Sequence, residues 1–444
     1  MAAEPTSLFV VPEPSLSEVH ATVSVSRSPL YWRRLLGFLG PGFLISVGYM
    51  DPGNWATDIA GGSRFGYTLL SVIMLSNLMA ILLQSLSLKL GVATERDLAQ
   101  LCHEHYGPRV SFALWILAEI AIAACDLAEV IGSAIALQLL FHIPLFYGVL
   151  ITGLDVLIIL LLQRWGFRYV EALVITLIGT ILGMFGVQMF LSRPEYLPAL
   201  HSLFIPSPSI VTNPGMLYIA IGILGATVMP HNLYLHSAIV QSRRYKRTEA
   251  GKREAIHLAN VDSAVALTLA LFVNAAILIV ASAVFHRSGH FEVAAIEDAY
   301  KLLSPLVGAA GAGTLFAIAL LASGQNSSIT GTLAGQVVME GFVHLKVAPW
   351  LRRFITRSLA IIPTILVVAI NGEQGTEKLL IFSQVILSLQ LSFAVVPLVL
   401  FSGDRKKMGV FVNAPWLQAL AWFTAALIAA LNAWLLVLMA MGKT

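Results

Sequence analysis

Charge is scarce in this chain. Of its 444 residues only 11% are Asp, Glu, Lys or Arg, 57% are hydrophobic, and the mean hydropathy is +0.82. A soluble domain carries roughly 25% charged residues, so one large soluble core is excluded. The few charges are also unevenly spread, with none in 65–88, 172–192, 263–285, 302–339, 379–403 or 408–442. A membrane-spanning helix needs about 20 mainly apolar residues, and each gap reaches that length. Cysteine is scarcer still. Cys102 and Cys125 are the whole complement, too few for a disulfide framework, and Cys125 sits in an apolar run as an expected inert packing residue. Residues 1–28 are polar, contain Pro5, Pro12 and Pro14, and lack the basic start and apolar stretch of a signal peptide. Residues 1–30 are expected to form a disordered cytoplasmic tail.

What is present is a series of apolar runs, at roughly 35–62, 66–88, 111–139, 144–163, 170–192, 213–240, 257–285, 306–339, 355–371, 379–402 and 414–441. They predict an all-α integral membrane protein with 11 transmembrane helices. Short cytoplasmic loops are enriched in Lys and Arg, which tests the layout. With the N-terminus inside, only Arg64, Arg193, Arg287, Lys301, Lys378 and Lys443 fall outside, and the other 21 of the 27 basic residues fall inside. The alternation predicts a multi-pass protein of the cell inner membrane, N-terminus cytoplasmic and C-terminus outside. The basic loop 243–253 follows from the same rule, so nucleic acid is not an expected partner; the lipid bilayer is.

Two spans share a motif. Span 1 contains Met50-Asp51-Pro52-Gly53-Asn54 and span 6 contains Val228-Met229-Pro230-His231-Asn232. Both read x-Pro-x-Asn at mid-span, five spans apart. An odd number of spans between equivalent elements gives them opposite orientations, the arrangement of inverted-repeat transporters that bind substrate on broken helices near the midplane. Irregular backbone survives at that depth only against protein or a watery cavity. Proline has no N–H, so the carbonyl four residues earlier loses its helical partner. Pro52 frees the carbonyl of Gly48, and Pro230 that of Ala226. Beside these oxygens stand the Asp51 carboxylate, the Asn54 amide and the Met229 thioether. A carboxylate inside a membrane is costly and is a functional candidate by default; a sulfur beside oxygens favours transition metals over Mg²⁺ or Ca²⁺. A lone kink or a lone core methionine is commonly structural, but here they come paired with Asp51 at equivalent repeat positions.

These residues resemble the Nramp family of divalent-metal transporters. The match includes Asp51-Pro52-Gly53-Asn54, the run Ala226 to Asn232, and Gly324 to Thr332 followed by Ala334-Gly335-Gln336, which is similar to the family's transport signature. It departs at Asn326, where Ser is common, and keeps a small polar residue there. The resemblance covers about 32–440. It implies a LeuT-like fold with an inverted 5+5 repeat and broken helices 1 and 6: residues 31–195 (spans 1–5), residues 210–403 (spans 6–10), then residues 408–444 with span 11. It implies import of Mn²⁺ or Fe²⁺ by symport with protons through alternating access, by a monomer that needs no cofactor. Asp51, Asn54, Met229 and the Ala226 carbonyl are the implied metal ligands, with Pro52, Gly53 and Pro230 as the helix breaks. Gln384 matches a position that joins the coordination shell in some states, and Gln84 is a weaker candidate of the same kind.

Span 3 carries Glu119, Asp126 and Glu129, whose offsets of seven and three place them on one helical face. Three acids in line point to a relay, since intramembrane acids mark proton paths; pairing with Arg352 and Arg353 for stability alone is the alternative. The family likeness links such acids and arginines to proton movement, with Asp51 as a first acceptor. His231 and His236 change charge near neutral pH and are further proton-path candidates. Asp58, Asp155, Asp262 and Asn274 have no assigned role. An enzyme is not expected. No HExxH spacing occurs, and His103-Glu104-His105 puts its two histidines on different helical faces.

Overall fold

The computed structural model describes residues 14–26, 28–153, 165–293, 295–309, 311–345, 347–348, 351, 354–355, 358–359, 361–366 and 374–442. Helices dominate: α1 Tyr31–Phe38, α2 Pro41–Gly48, α3 Pro52–Phe65, α4 Leu70–Thr94, α5 Leu98–Phe141, α6 Leu145–Thr152, α7 Phe167–Ser192, α8 Tyr196–Phe204, α9 Ser209–Thr212, α10 Pro214–Thr227, α11 Pro230–Ile239, α12 Glu249–Ala281, α13 Ile296–Val307, α14 Ala312–Val343, α15 Gln374–Ser402, α16 Arg405–Met408 and α17 Pro415–Ala440. Among the described residues, seven stretches are long and apolar enough to cross a membrane: 70–94, 98–141, 167–192, 214–242, 249–286, 375–402 and 415–440. Of the remaining expected spans, the first is divided among α1, α2 and α3. The eighth forms α14, and about half of the fourth and of the ninth lies outside the described residues, as do Asp155, Arg352 and Arg353.

Local chemistry sets the helix starts. Proline occupies the first turn of α2, α3, α10, α11 and α17, where its missing N–H costs nothing. Asp51, Asn213 and Thr248 cap α3, α10 and α12 with their side chains, and Asp97 and Gln100 form a reciprocal capping box at α5. Gly107, at φ 74°, with Pro108 behind it, kinks α5, so the part that carries the acids begins near residue 108.

Small residues bring the central helices together. A β-carbon on Gly324 of α14 would strike Ser133 of α5, one on Gly132 of α5 would strike Pro52, and one on Gly225 of α10 would strike the backbone of Gln384 in α15. The 324–332 signature is therefore, first of all, the face by which α14 packs on α5.

The N-terminal segment differs from expectation. Residues 14–26 are ordered against the rest of the chain. Leu16 N–H donates to Glu340 Oε2 at 2.9 Å, Gln336 Nε2 donates to Glu18 Oε1 at 2.9 Å, and Ala21 N–H donates to the Gln241 carbonyl at 3.0 Å. Strand β1, Val23–Ser24, pairs in parallel with β2, Arg243–Arg244. Leu16 and Val23 are buried. These few apolar residues, spaced among polar ones, form a strap that composition alone hides.

Candidate functional site

Three residues, Tyr49 to Asp51, separate α2 from α3. The last carbonyls of α2 take replacement donors: Asn232 Nδ2 reaches Ile45 O at 3.4 Å, and the Tyr49 and Met50 amides fold back to Ser46 and Val47. The carbonyls inside the break are held from other helices. Asn274 Nδ2 donates to Tyr49 O at 2.8 Å, while Trp55 Nε1 (3.2 Å) and Ser323 Oγ both donate to Met50 O. Asn274, unassigned from sequence, is thus a clamp on the break. Asp51 divides its work. Its Oδ1 accepts the Asn54 N–H at 2.9 Å and caps α3; its Oδ2 is buried and has no hydrogen-bond partner.

Between α10 and α11, Val228 and Met229 leave the helical conformation, with Met229 extended at φ −67° and ψ 123°. Pro230 cannot donate to the Ala226 carbonyl. Met229 faces the other break: a β-carbon on Gly48 would lie 3.0 Å from its Sδ. Gln384 completes the meeting. A β-carbon on Gly53 would collide with its side-chain amide, while its Nε2 donates to Ser383 Oγ at 3.0 Å. Asp51, Asn54, Ala226, Met229 and Gln384 are all almost fully buried.

Three unpartnered oxygens at this meeting share one character. Asp51 Oδ2, Asn54 Oδ1 and Gln384 Oε1 are buried acceptors without a donor, beside a thioether and a carbonyl opened by proline. Buried polar groups are nearly always paired, so several orphaned acceptors at one place call for an electron-poor occupant. Among the described residues no group of three or more His, Cys, Asp and Glu stands as a metal cluster. The donor set is instead one carboxylate, amides, a carbonyl and a sulfur.

The proton-path candidates divide. Asp126 and Glu129 are buried and flank Gly331 of α14, whose β-carbon position lies 3.1 and 3.2 Å from their oxygens. Glu119 is farther along α5 and partly exposed, accepting from Trp115 Nε1 at 3.1 Å. Cys125, expected to be inert, has its thiol 3.6 Å from Glu129 Oε1 and packs against Met229. It joins the sulfur at the break to the acids of α5. His231 is buried with neither ring nitrogen partnered. His236 bonds through Nδ1 to Gln84 Oε1 at 2.9 Å, and Gln84 Nε2 donates to Tyr49 OH at 2.8 Å. Both ends of the Gln84 amide are therefore engaged, which makes it a tether and not a spare ligand.

Sequence reasoning missed a second constellation, at the far end of α2. Asp262 Oδ1 and Oδ2 accept the Gly40 and Gly42 amides at 3.2 and 2.7 Å. The Arg243 side chain, fully buried, donates to Leu39 O and to Glu171 Oε1, each at 2.7 Å. Arg168 adds Leu39 O and Gly37 O, both at 2.7 Å, and pairs with Glu171 at 3.2 Å. Gly40 takes φ 142°, and a β-carbon there would strike Glu171 and Arg243. The signal available in the sequence was the Gly40-Pro41 pair at a helix start, but nothing named its distant partners. At the start of α5, burial raises the Asp97 carboxyl to about 6, against hydrogen bonds from the Ser15 side chain and the Gln100 and Ala99 amides.

The profile of the family described as natural resistance-associated macrophage protein-like, Nramp, matches residues 42–438. The chain belongs to the Nramp family. Among curated relatives, the divalent metal cation transporter MntH of Nostoc sp. is 62% identical over 423 residues, covering 95% of this chain and 96% of that protein. Among solved structures, the Eremococcus coleocola manganese transporter superposes with a TM-score of 0.87 at 45% identity, covering 94% of this chain and 90% of that one. Mhp1, a nucleobase-cation-symport-1 family transporter, aligns with a TM-score of 0.61 at 14% identity over 96% of this chain and 92% of its own. That likeness is one of fold alone. This Nramp chain is thus a helical membrane protein of LeuT-like fold, and its relatives are named as transporters, not enzymes.

Proposed function

We propose that this Nramp protein is a secondary carrier that imports divalent transition-metal ions, Mn²⁺ and Fe²⁺ among them, into the cytoplasm by symport with protons. The observation that carries this reading is the set of buried, donor-less acceptors where the two proline breaks meet. An organic acid or amino-acid carboxylate would need donors there. A cation needs acceptors. Asp51 Oδ2, Asn54 Oδ1, the Ala226 carbonyl, Met229 Sδ and, in some states, Gln384 Oε1 are the ligands in this reading, and the sulfur turns the site from Ca²⁺ and Mg²⁺ toward softer ions. The names of the relatives, a divalent metal cation transporter and a manganese transporter, agree with it.

The reading carries eleven spans in the inner membrane, spans 1–5 and 6–10 forming the inverted repeat, the N-terminus cytoplasmic and the C-terminus outside. Alternating access moves α2 and α11, the short halves on the inner side of each break, against the scaffold of α5 and α14. Protons enter through Asp51 and leave along Asp126, Glu129 and Glu119, with His231 and His236 lining the inner half and Arg352 and Arg353 as partners. Radiolabelled Mn²⁺ uptake into proteoliposomes tests this. Uptake should rise with an inward proton gradient; no metal uptake at all would overturn it.

A further inference from the structure

Asp58 has no place in the account so far. It lies on α3 one turn beyond Asn54 and two beyond Asp51, on the same helical face, and is 1% exposed. Its Oδ2 is buried with no hydrogen-bond partner. Three neighbouring acids have donors: Glu171 from Arg243 and Arg168, Asp262 from two backbone amides, and Asp51 Oδ1 from the Asn54 amide. Among the described residues no basic side chain forms an ion pair with Asp58. The adjoining Thr57 methyl packs on Gly222, while Gly61 and Gly62 of the next turn pack on Leu69, Ile219, Leu278 and Ala281. A buried ionised carboxylate without a partner is expensive, and an uncharged residue of similar size would fill the space.

Direction adds meaning. In the proposed topology α3 runs from the break toward the outer surface, so Asp58 lies on the side from which the ion arrives. Farther out, Ser63 Oγ donates to Val293 O at 2.6 Å, and His286 Nδ1 meets Ser63 O at 2.8 Å. Asp58 is therefore enclosed between these contacts and the break.

We propose that Asp58 is a second carboxylate for the divalent cargo, receiving the cation on the outer side and, with Asp51, supplying the two negative charges that balance it in an interior of low dielectric. This rests on the metal-transport reading above. Seven residues of helix set the two carboxylates about 10 Å apart. At an effective dielectric near 20, a unit charge at that distance changes the affinity for a divalent ion by roughly tenfold or more. No other ligand needs to change.

The test compares Asp58→Asn, which removes the charge and keeps the shape, with Asp58→Glu, which keeps the charge. Mn²⁺ uptake kinetics in proteoliposomes should show the KM of Asp58→Asn raised roughly tenfold or more with a smaller change in kcat, and Asp58→Glu should recover most of the loss. Mn²⁺ titration of the detergent-solubilised proteins by calorimetry should show the same order of affinities. An unchanged KM and affinity in Asp58→Asn would overturn the proposal, as would equal damage in both variants accompanied by a lowered Tm, which marks a packing role. Failure of the transport reading itself is distinguishable, because wild-type protein would then take up no Mn²⁺.

Discussion

The two ends of α2 are built on opposite principles. At its start the charged groups are answered: Asp262 receives the Gly40 and Gly42 amides, and Arg243 and Arg168 hold the Leu39 carbonyl while sharing Glu171. At its end, eight residues later, the neighbouring side chains present oxygens with no donor. One helix thus joins a satisfied latch to an unsatisfied site. The satisfied end is self-sufficient and holds a position. In the proposed transport cycle the unsatisfied end is completed by its cargo, and loading and unloading it would change the balance that the latch holds.

Breaking the unsatisfied end has the largest expected effect. Asp51→Ala removes the proposed charged ligand and should reduce Mn²⁺ uptake in proteoliposomes to background, while the protein still folds, because only one capping bond is lost at a cost of about 1 kcal/mol. Breaking the satisfied end should act the other way round. Glu171→Gln leaves the buried Arg243 without its carboxylate, a change of about 3–5 kcal/mol. It should lower the Tm and raise labelling of cysteines placed on the inner half of α2, with Mn²⁺ affinity in the closed state little altered. If Glu171→Gln abolished uptake without changing labelling, the latch and the site would not be separate devices.

Met229→Ala sharpens the comparison within the site. The oxygen ligands remain, so Mn²⁺ uptake should persist while Ca²⁺ competes at about tenfold lower concentration. Unchanged exclusion of Ca²⁺ would remove the sulfur from the selectivity argument. The smallest effect belongs to the strap. Deleting residues 1–26 removes the bonds of Leu16 to Glu340 and Glu18 to Gln336 and the β1–β2 pair, each net about 0.5–1.5 kcal/mol. Inner-side labelling should rise by less than in Glu171→Gln, and the Tm should fall by less.

The site was more legible in the sequence than the latch, for a physical reason. A proline in an apolar run declares which carbonyl it frees, and Asp51 in the same run declares a costly charge, so local rules lead to the break. Those rules do not say who replaces the lost donors: Asn274 and Ser323 reach Tyr49 and Met50 from more than 200 residues away. Apart from the Arg168–Glu171 pair, the latch is long-range. Arg243 belongs to a basic loop whose composition the positive-inside rule already explains, and only its burial beside Glu171 separates it from Arg244 and Lys246. The strap was missed because Leu16, Val19 and Val23 are too few among polar residues to give a period. Cys125 is buried in an apolar cluster, as a packing residue would be, but its neighbours Met229 and Glu129 come together only in three dimensions.

The central claim is that the orphaned acceptors between the two breaks are a divalent-metal site. Anomalous diffraction at the manganese edge, from crystals grown with Mn²⁺, tests it most directly. The account predicts one strong peak within bonding distance of Asp51 Oδ2, Asn54 Oδ1, the Ala226 carbonyl and Met229 Sδ. A peak elsewhere, or none at this meeting point while the protein transports Mn²⁺, would contradict it.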